Sequence, residues 1–216
     1  MDEIDLFEAI YSTRSMRRLK QKPIPRNVIE RIIDAGVHAP SGSNFQNWGF
    51  LIVERDEDKK FVRDLYLKSY QMLENKGTIP LLTEAPESRR KMFQSAIHLA
   101  ENMHLAPILL FAISGTDFPT YADHDNPSSI TATLHASIYP AVQNMLLAAR
   151  ALGIGATLTT LHYFFEEELK NRFLIPEDKE IAALIPMGYP EGEFGRTSRR
   201  PGTEVTFWDS WEKKKN

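Results

Sequence analysis

The chain contains no cysteine. That excludes disulfides, thiolate nucleophiles and cysteine-ligated metal or iron–sulfur sites, and it suits a cytoplasmic location. It has no large excess of one charge. The 26 Lys and Arg against 29 Asp and Glu leave a net charge of −3, which gives no general attraction for nucleic acid or an anionic membrane. It has no long apolar run either. Pro107–Ser114 has the length of a buried strand and falls short of the ~20 residues that span a bilayer. Acids stand before the first apolar residues, unlike a signal peptide. A Walker loop, a Gly-x-Ser-x-Gly elbow and a Gly-x-Gly-x-x-Gly fingerprint are all missing. The six histidines form no His-x-His or His-x-x-x-His pair, and His98 and His104 are spaced too unevenly to share a helix face. His124 between Asp123 and Asp125 is a loose set for a metal, and none is expected.

The 216 residues contain no internal repeat and no low-complexity linker, so one domain is expected over 1–216. Ile4, Phe7, Ala9 and Ile10 predict a short first helix. Arg26 to Gly36 predicts a second, with Pro25 at its start, Gly36 at its end and Val28, Ile29, Ile32 and Ile33 on one face. Trp48–Val53 reads as a strand, with Trp48 in the sheet core. Asp56–Asn75 and Arg89–His104 read as helices joined by Lys76–Ser88, a block that fits a lid. Pro107–Ser114 is a second strand, and Gly115–Ser129 reads as a loop.

Thr131–Leu152 carries Val142, Met145, Leu146 and Ala149 at helical spacing, with Gly153 as a stop and Pro140 as a kink or the true start. Ala156–Thr160 is a short β-prone run. Glu180–Met187 is a final strand closed by Gly188-Tyr189-Pro190. Glu166-Glu167-Glu168 reads as a solvated helix start. About four strands interspersed with helices predict an α+β mixed β-sheet flanked by helices.

Positive charge is concentrated even though the total is balanced. Tyr11–Arg31 holds seven Lys or Arg and one acid, Glu30. Thr13–Arg18 and Arg196–Arg200 are basic segments at opposite ends of the chain. Arg14 and Arg17 are three apart, so on a helical turn they share a side, and Ser15 adds a hydroxyl and an N–H. Arg199 can close the same pocket. Planar guanidinium forks of this kind suit a phosphate monoester, and they also suit a plain solvated surface.

Between the basic segments lies Ala39-Pro40-Ser41-Gly42-Ser43-Asn44-Phe45-Gln46-Asn47-Trp48. Gly42 permits close approach or positive φ, and Ser41, Ser43 and Asn44 offer small donors and acceptors for a flavin or purine edge. A simple helix-to-strand turn fits the same composition. Thr157–Thr160 offers threonine hydroxyls to a ring edge or, equally, an ordinary strand.

These segments, in order from Phe7 to Pro201, resemble the nitroreductase family of FMN-dependent oxidoreductases. Arg14-Ser15-Met16-Arg17 is similar to its opening Arg-Ser-x-Arg element. Ala39–Trp48 is similar to its Ala-Pro-Ser-Gly-x-Asn-x-Gln-Pro-Trp loop, with Asn47 in place of proline. Gln143–Gly153 resembles its central dimer helix, Pro186–Pro190 its last-strand motif and Ser198–Pro201 its closing phosphate arginine.

The resemblance implies an intertwined homodimer with FMN and with NADH or NADPH as co-substrate. Arg14, Ser15, Arg17 and Arg199 would hold the phosphate and ribityl chain, with Met16 in the same cofactor-binding element. Pro40, Ser41, Gly42 and Asn44 would approach the ring, usually from the partner subunit. Leu158, Thr159 and Thr160 would lie along it near its reactive nitrogen. The segment 202–216 would wrap the partner, and its large aromatics need such cover.

The implied reaction is ping-pong hydride transfer to a small electrophilic acceptor, a nitroaromatic, quinone or enone. No obligatory acid or base is named. A flavin-storage or sensor protein with little turnover is the alternative, and a flavin-consuming enzyme of the cobalamin-ligand type and a flavin-free module come after it. The deiodinase branch uses a Glu, Tyr and Lys lid whose spacing has no match in Tyr66–Lys91.

Overall fold

A computed structural model describes residues 4–115 and 127–211, with side chains placed from 132 in the second stretch. Chain order is α1 (Leu6–Ser12), β1 (Leu19–Lys20), α2 (Arg26–Val37), β2 (Trp48–Val53), α3 (Asp56–Asn75), α4 (Glu87–Asn102), β3 (Ile108–Gly115), α5 (Pro127–Ala151), β4 (Gly155–Ala156), α6 (Glu166–Phe173) and β5 (Lys179–Pro190). The strands form one sheet in the order β1-β5-β3-β2, with β4 also on β5. The pairings among these strands are antiparallel, and the parallel contact is a single bridge between Ser15 and Ala156. The expected α+β architecture is therefore present.

Strand β3 explains why the sheet is covered on both faces. Ile108, Leu110 and Ala112 pack with α2 and α5, while Leu109 and Phe111 pack with α3, α4 and α6. Alternating residues of a strand point to opposite faces, so a continuous apolar run needs a layer on each side.

Several expectations shift. The long helix starts at Pro127, and Pro140 lies inside it, not at its start. The missing amide bond there is offset by packing, since Ile138, Ala141 and Val142 on either side are fully buried. The last strand does not stop before Gly188. It runs through Pro190 because Tyr189 and Pro190 pair with β1, a two-residue strand with no periodicity to reveal it. The β-prone run shrinks to Gly155–Ala156 plus a bridge between Thr159 and Leu184. The block that fits a lid is anchored at both ends, where Val62, Tyr66, Tyr70, Leu99 and Ala100 are buried under the sheet, while the start of α4 over Glu87–Met92 is exposed. Of the expected loop Gly115–Ser129, Gly115 ends β3 and Pro127–Ser129 open α5, while 116–126 with Asp123, His124 and Asp125 lies outside the described residues, as does 212–216.

Candidate functional site

The two basic segments are brought together by backbone contacts that no local pattern encodes. Thr197 donates its N–H to Tyr11 O at 2.8 Å, and its hydroxyl donates to the same oxygen at 3.2 Å. This pins the C-terminal segment to the end of α1 and carries Arg199 to Arg14 and Ser15. The three line one cavity of about 510 Å³, a small-molecule size. Leu146, Ile154, Ala156 and Leu158 form an apolar wall, and Phe194 closes another side.

The arginines there differ in their freedom. Arg150 donates from Nε to Ser12 Oγ at 2.8 Å, meets Glu8 at 3.5 Å and sits over the Phe194 ring at 4.3 Å. Among the described residues, Arg14 and Arg199 have no acidic partner. Arg199 spends one Nη1 N–H on Ser198 O at 2.8 Å and keeps its other donors, and the Thr13 hydroxyl is given to Ala9 O at 2.6 Å. The two guanidinium groups and the Ser15 hydroxyl are then a donor set for a phosphate, and the apolar wall suits a flat ring beside it. The chemistry of the cavity thus fits the cofactor that the sequence resemblance implies. Sequence reasoning missed Arg150, Gln143 and Leu146 as lining residues. Their spacing on α5 put them on one face and was available as a signal.

The helical-turn argument for Arg14 and Arg17 does not hold. Ser15 bridges Ala156 and the backbone here is extended, so residues three apart point to opposite sides. Arg17 instead lines a neighbouring hollow with His98 and Glu191. Burial pushes its pKa down, Tyr66 pulls it up, and the Arg14 charge pushes it down again. Met16 points inward and is buried in the core, and its backbone is used to tie the segment down, its N–H donating to Ala156 O at 3.0 Å and its carbonyl accepting from Thr157. Gly155 is what lets β4 lie so close, since a Cβ there would stand 2.8 Å from Met16 Cβ.

The loop Pro40–Asn44 is not part of this cavity. It stands by the first half of α5, where Gly42 N–H donates to Ser137 Oγ at 3.2 Å. Ser41 Oγ is engaged within the loop, accepting from Gln46 N–H at 2.9 Å. The left-handed backbone falls on Ser43, Asn44 and Gln46, not on Gly42. Pro40, Gly42 and Asn44 are exposed. Asn47, the departure from the expected proline, has a use of its own. Its side chain donates to Gly115 O at 3.0 Å and its carbonyl accepts from Gly115 N–H at 2.7 Å, clamping β2 to β3.

Gly153, at φ +73°, ends α5 and turns the chain into the segment that borders the cavity. Ala156 and Leu158 face the cavity. Thr157 and Thr159 alternate with them and face the other way. Thr157 Oγ1 donates to Met16 O at 2.9 Å, and Thr159 Oγ1 meets Tyr66 Oη at 2.9 Å. Thr160 is exposed. Two residues on, His162 is fully buried with Nε2 against Ile181 O, and burial lowers its pKa. Glu166 is more than a solvated start of α6, since it accepts the Ile181 N–H at 2.7 Å. Among the described residues no group of three or more His, Asp or Glu is placed to hold a metal, and no helix is long and apolar enough to cross a membrane.

A model of the nitroreductase family matches residues 10–189. An NADH dehydrogenase from Thermus thermophilus is 23% identical over 211 residues, covering 95% of this chain and 96% of that one. An iodotyrosine deiodinase from Thermotoga neapolitana is 28% identical over 190 residues, covering 86% and 89%. Among solved structures, a BluB-like flavoprotein from Clostridium difficile superposes with a TM-score of 0.72 at 22% identity, covering 96% and 100%. A nitroreductase with bound FMN from Bacteroides fragilis superposes with a TM-score of 0.66 at 18% identity, covering 95% and 100%.

Proposed function

The chain belongs to the nitroreductase family, and from that premise we propose that it is an FMN-dependent NAD(P)H oxidoreductase. The observation that carries the reading is the meeting of Arg14, Ser15 and Arg199 on one cavity, with Ala156 and Leu158 as its wall. The FMN-bound relative and the relative named NADH dehydrogenase support the choice of cofactor and co-substrate.

Bound FMN would supply the redox chemistry, taking a hydride from NADH or NADPH and passing it in ping-pong order to a small nitroaromatic, quinone or enone acceptor. The chain's own residues bind and orient. Arg14, Ser15 and Arg199 hold the phosphate through charge-assisted hydrogen bonds, worth about 1.5–3 kcal/mol each. Arg17, half-buried in the neighbouring hollow, adds positive charge beside the site and not within it. Leu158 borders the ring, and Thr159, tied to Tyr66 and Leu184, holds that segment in place, with Thr160 exposed after it.

Pro40, Ser41, Gly42 and Asn44 come from a second copy of the chain, which accounts for their exposure and their distance from the cavity in this one. The same homodimer covers Leu6 and Phe7 of α1, 60% and 59% exposed, and takes the segment 202–216, with Trp208 and Trp211, as an arm. Small diffusible substrates and a cysteine-free chain fit a cytoplasmic enzyme.

The test is an anaerobic visible spectrum of the protein with FMN, before and after NADH or NADPH. Bleaching of the flavin band supports the oxidoreductase. Flavin that binds and does not bleach points to storage or sensing. Loss of FMN under oxygen points to a flavin-consuming enzyme. A chain that takes up no FMN overturns the reading.

A further inference from the structure

Arg150 is a cation of the cavity that lies outside both basic segments. It stands in the last turn of α5, where its charge offsets the negative end of the helix. Its side chain is 14% exposed, so most of the charge is out of water and needs a counter-charge. The protein supplies little of one. Nε donates to Ser12 Oγ at 2.8 Å, a neutral acceptor whose own proton goes to Glu8 O at 2.5 Å. Nη2 stands 3.5 Å from Glu8 Oε1, beyond a full hydrogen bond, and that carboxylate is 43% exposed. Among the described residues Nη1 has no partner.

The guanidinium is nevertheless held in place. Its Nε and Nη2 are engaged on α1, and its central carbon lies 4.3 Å from the centre of the Phe194 ring. Ser12 stands two residues before Arg14. Phe194 leads into the segment that Thr197 pins to Tyr11. One side chain therefore touches both segments whose meeting carries Arg199 to Arg14, and all three arginines line the same cavity. A planar fork that is desolvated, fixed and poorly paired is already arranged for an anion.

We propose that Arg150 is the third cation of the phosphate subsite and sets its preference for FMN over riboflavin, with Glu8 as the counter-charge that competes with the phosphate for it. The inference rests on the reading above that the cavity takes FMN. It adds a residue of α5 to the phosphate cradle and gives an acid outside the cavity a part in the choice of cofactor. A phosphate dianion gains a charge-assisted hydrogen bond from Nη1, whereas riboflavin ends in a neutral hydroxyl and gains none.

The test measures the affinity of the full chain for FMN and for riboflavin by quenching of flavin fluorescence. Wild type, Arg150→Gln, Arg150→Lys and Glu8→Gln are compared, with the melting temperature alongside. The readout is the ratio of the two affinities, since anything lost from the cavity wall or from the contact of α1 with α5 falls on both flavins alike. Arg150→Gln is expected to cut the preference for FMN about tenfold, the lower end of what one charge-assisted hydrogen bond is worth. Arg150→Lys keeps the charge without the fork and retains part of the preference. Glu8→Gln removes the competing charge and raises the preference about twofold, the scale of an exposed ion pair.

A merely structural Arg150 lowers the melting temperature and weakens both flavins equally. An unchanged ratio in a folded Arg150→Gln protein overturns the inference. Glu8 is half-exposed and its substitution leaves Ser12 and Phe194 in place, so Glu8→Gln decides the matter if Arg150→Gln does not fold. A ratio there that falls or stays at the wild-type value overturns the inference too. Wild-type protein that takes up neither flavin overturns the functional reading itself, a failure distinct from an unchanged ratio.

Discussion

The layer of α2 and α5 and the layer of α3, α4 and α6 cover opposite faces of one sheet and are built by different means. Beneath α5 the buried groups are apolar almost throughout, with Ile32, Ile138, Val142, Met145 and Ala149 against Leu110 and Ile185. Beneath α3 the core includes Asp58, Lys59, Tyr66, Tyr70 and His162, all buried. Asp58 accepts from Arg172 at 2.7 Å and from Arg55 at 2.6 Å, and Lys59 donates to Ala106 O at 3.0 Å. One layer is a scaffold held by shape. The other is a set of polar ties, and those ties respond to pH and to single-atom changes in a way packing does not. The candidate site lies where the 153–160 segment passes between them, with one side chain in two turned toward each layer.

The largest effect expected on either side is loss of packing. Phe111→Ala, which empties the space beside Phe173 at 5.6 Å, should cost about 3–5 kcal/mol, and Met145→Ala under α5 about 2–5 kcal/mol. Urea unfolding at pH 7.5 measures both. Two losses of like size would show that the polar layer still depends on its apolar core, whereas a negligible loss at Phe111 would break the picture of a common sheet core.

A smaller change should be confined to the polar layer. Asp58→Ala removes the shared acceptor of Arg55 and Arg172 and should cost about 1.5–3 kcal/mol. The partners remain 73% and 40% exposed, so they regain water and the loss stays below that of a fully buried pair. Added salt should reduce the difference between wild type and variant while leaving Met145→Ala untouched, and a salt-independent difference would speak against an ionic tie.

The smallest and most specific effect is in pH. Burial holds His162 neutral, with its pKa below the ordinary 6.5. The unfolded chain then binds more protons than the folded one as pH falls below about 6.5, so stability declines from there toward the folded value. His98 and His104 are lowered as well and carry the same sign. His162→Gln should flatten the slope between pH 7.5 and 5.5 without removing it. A variant with the wild-type slope would assign the whole effect to the two more exposed histidines.

Much of this fold is legible in the chain. The helix over Asp56–Asn75 and the strand over Trp48–Val53 appear with the boundaries their patterns predict, because apolar period and flanking breakers are properties of a few consecutive residues. The site is legible in part. The residues of the basic segments are visible as charge, but the assumption of a helical turn between Arg14 and Arg17 fails, since a single bridge to Ala156 imposes extended backbone. The preference of Gly42 for positive φ also misleads, because Asn44 and its neighbours take that conformation in the fold.

By itself the sequence determined the kinds of element, the absence of thiol chemistry and the supply of guanidinium groups at both ends. Only the tertiary structure decided that Arg199 meets Arg14, that Tyr66 reaches Thr159 and that Pro40–Asn44 stays outside the cavity. Helical and strand periods act over one or two turns. Contacts across 90 to 190 positions depend on sheet register and on the packing of both layers, which is a sum over the whole chain and is written in no single stretch of it.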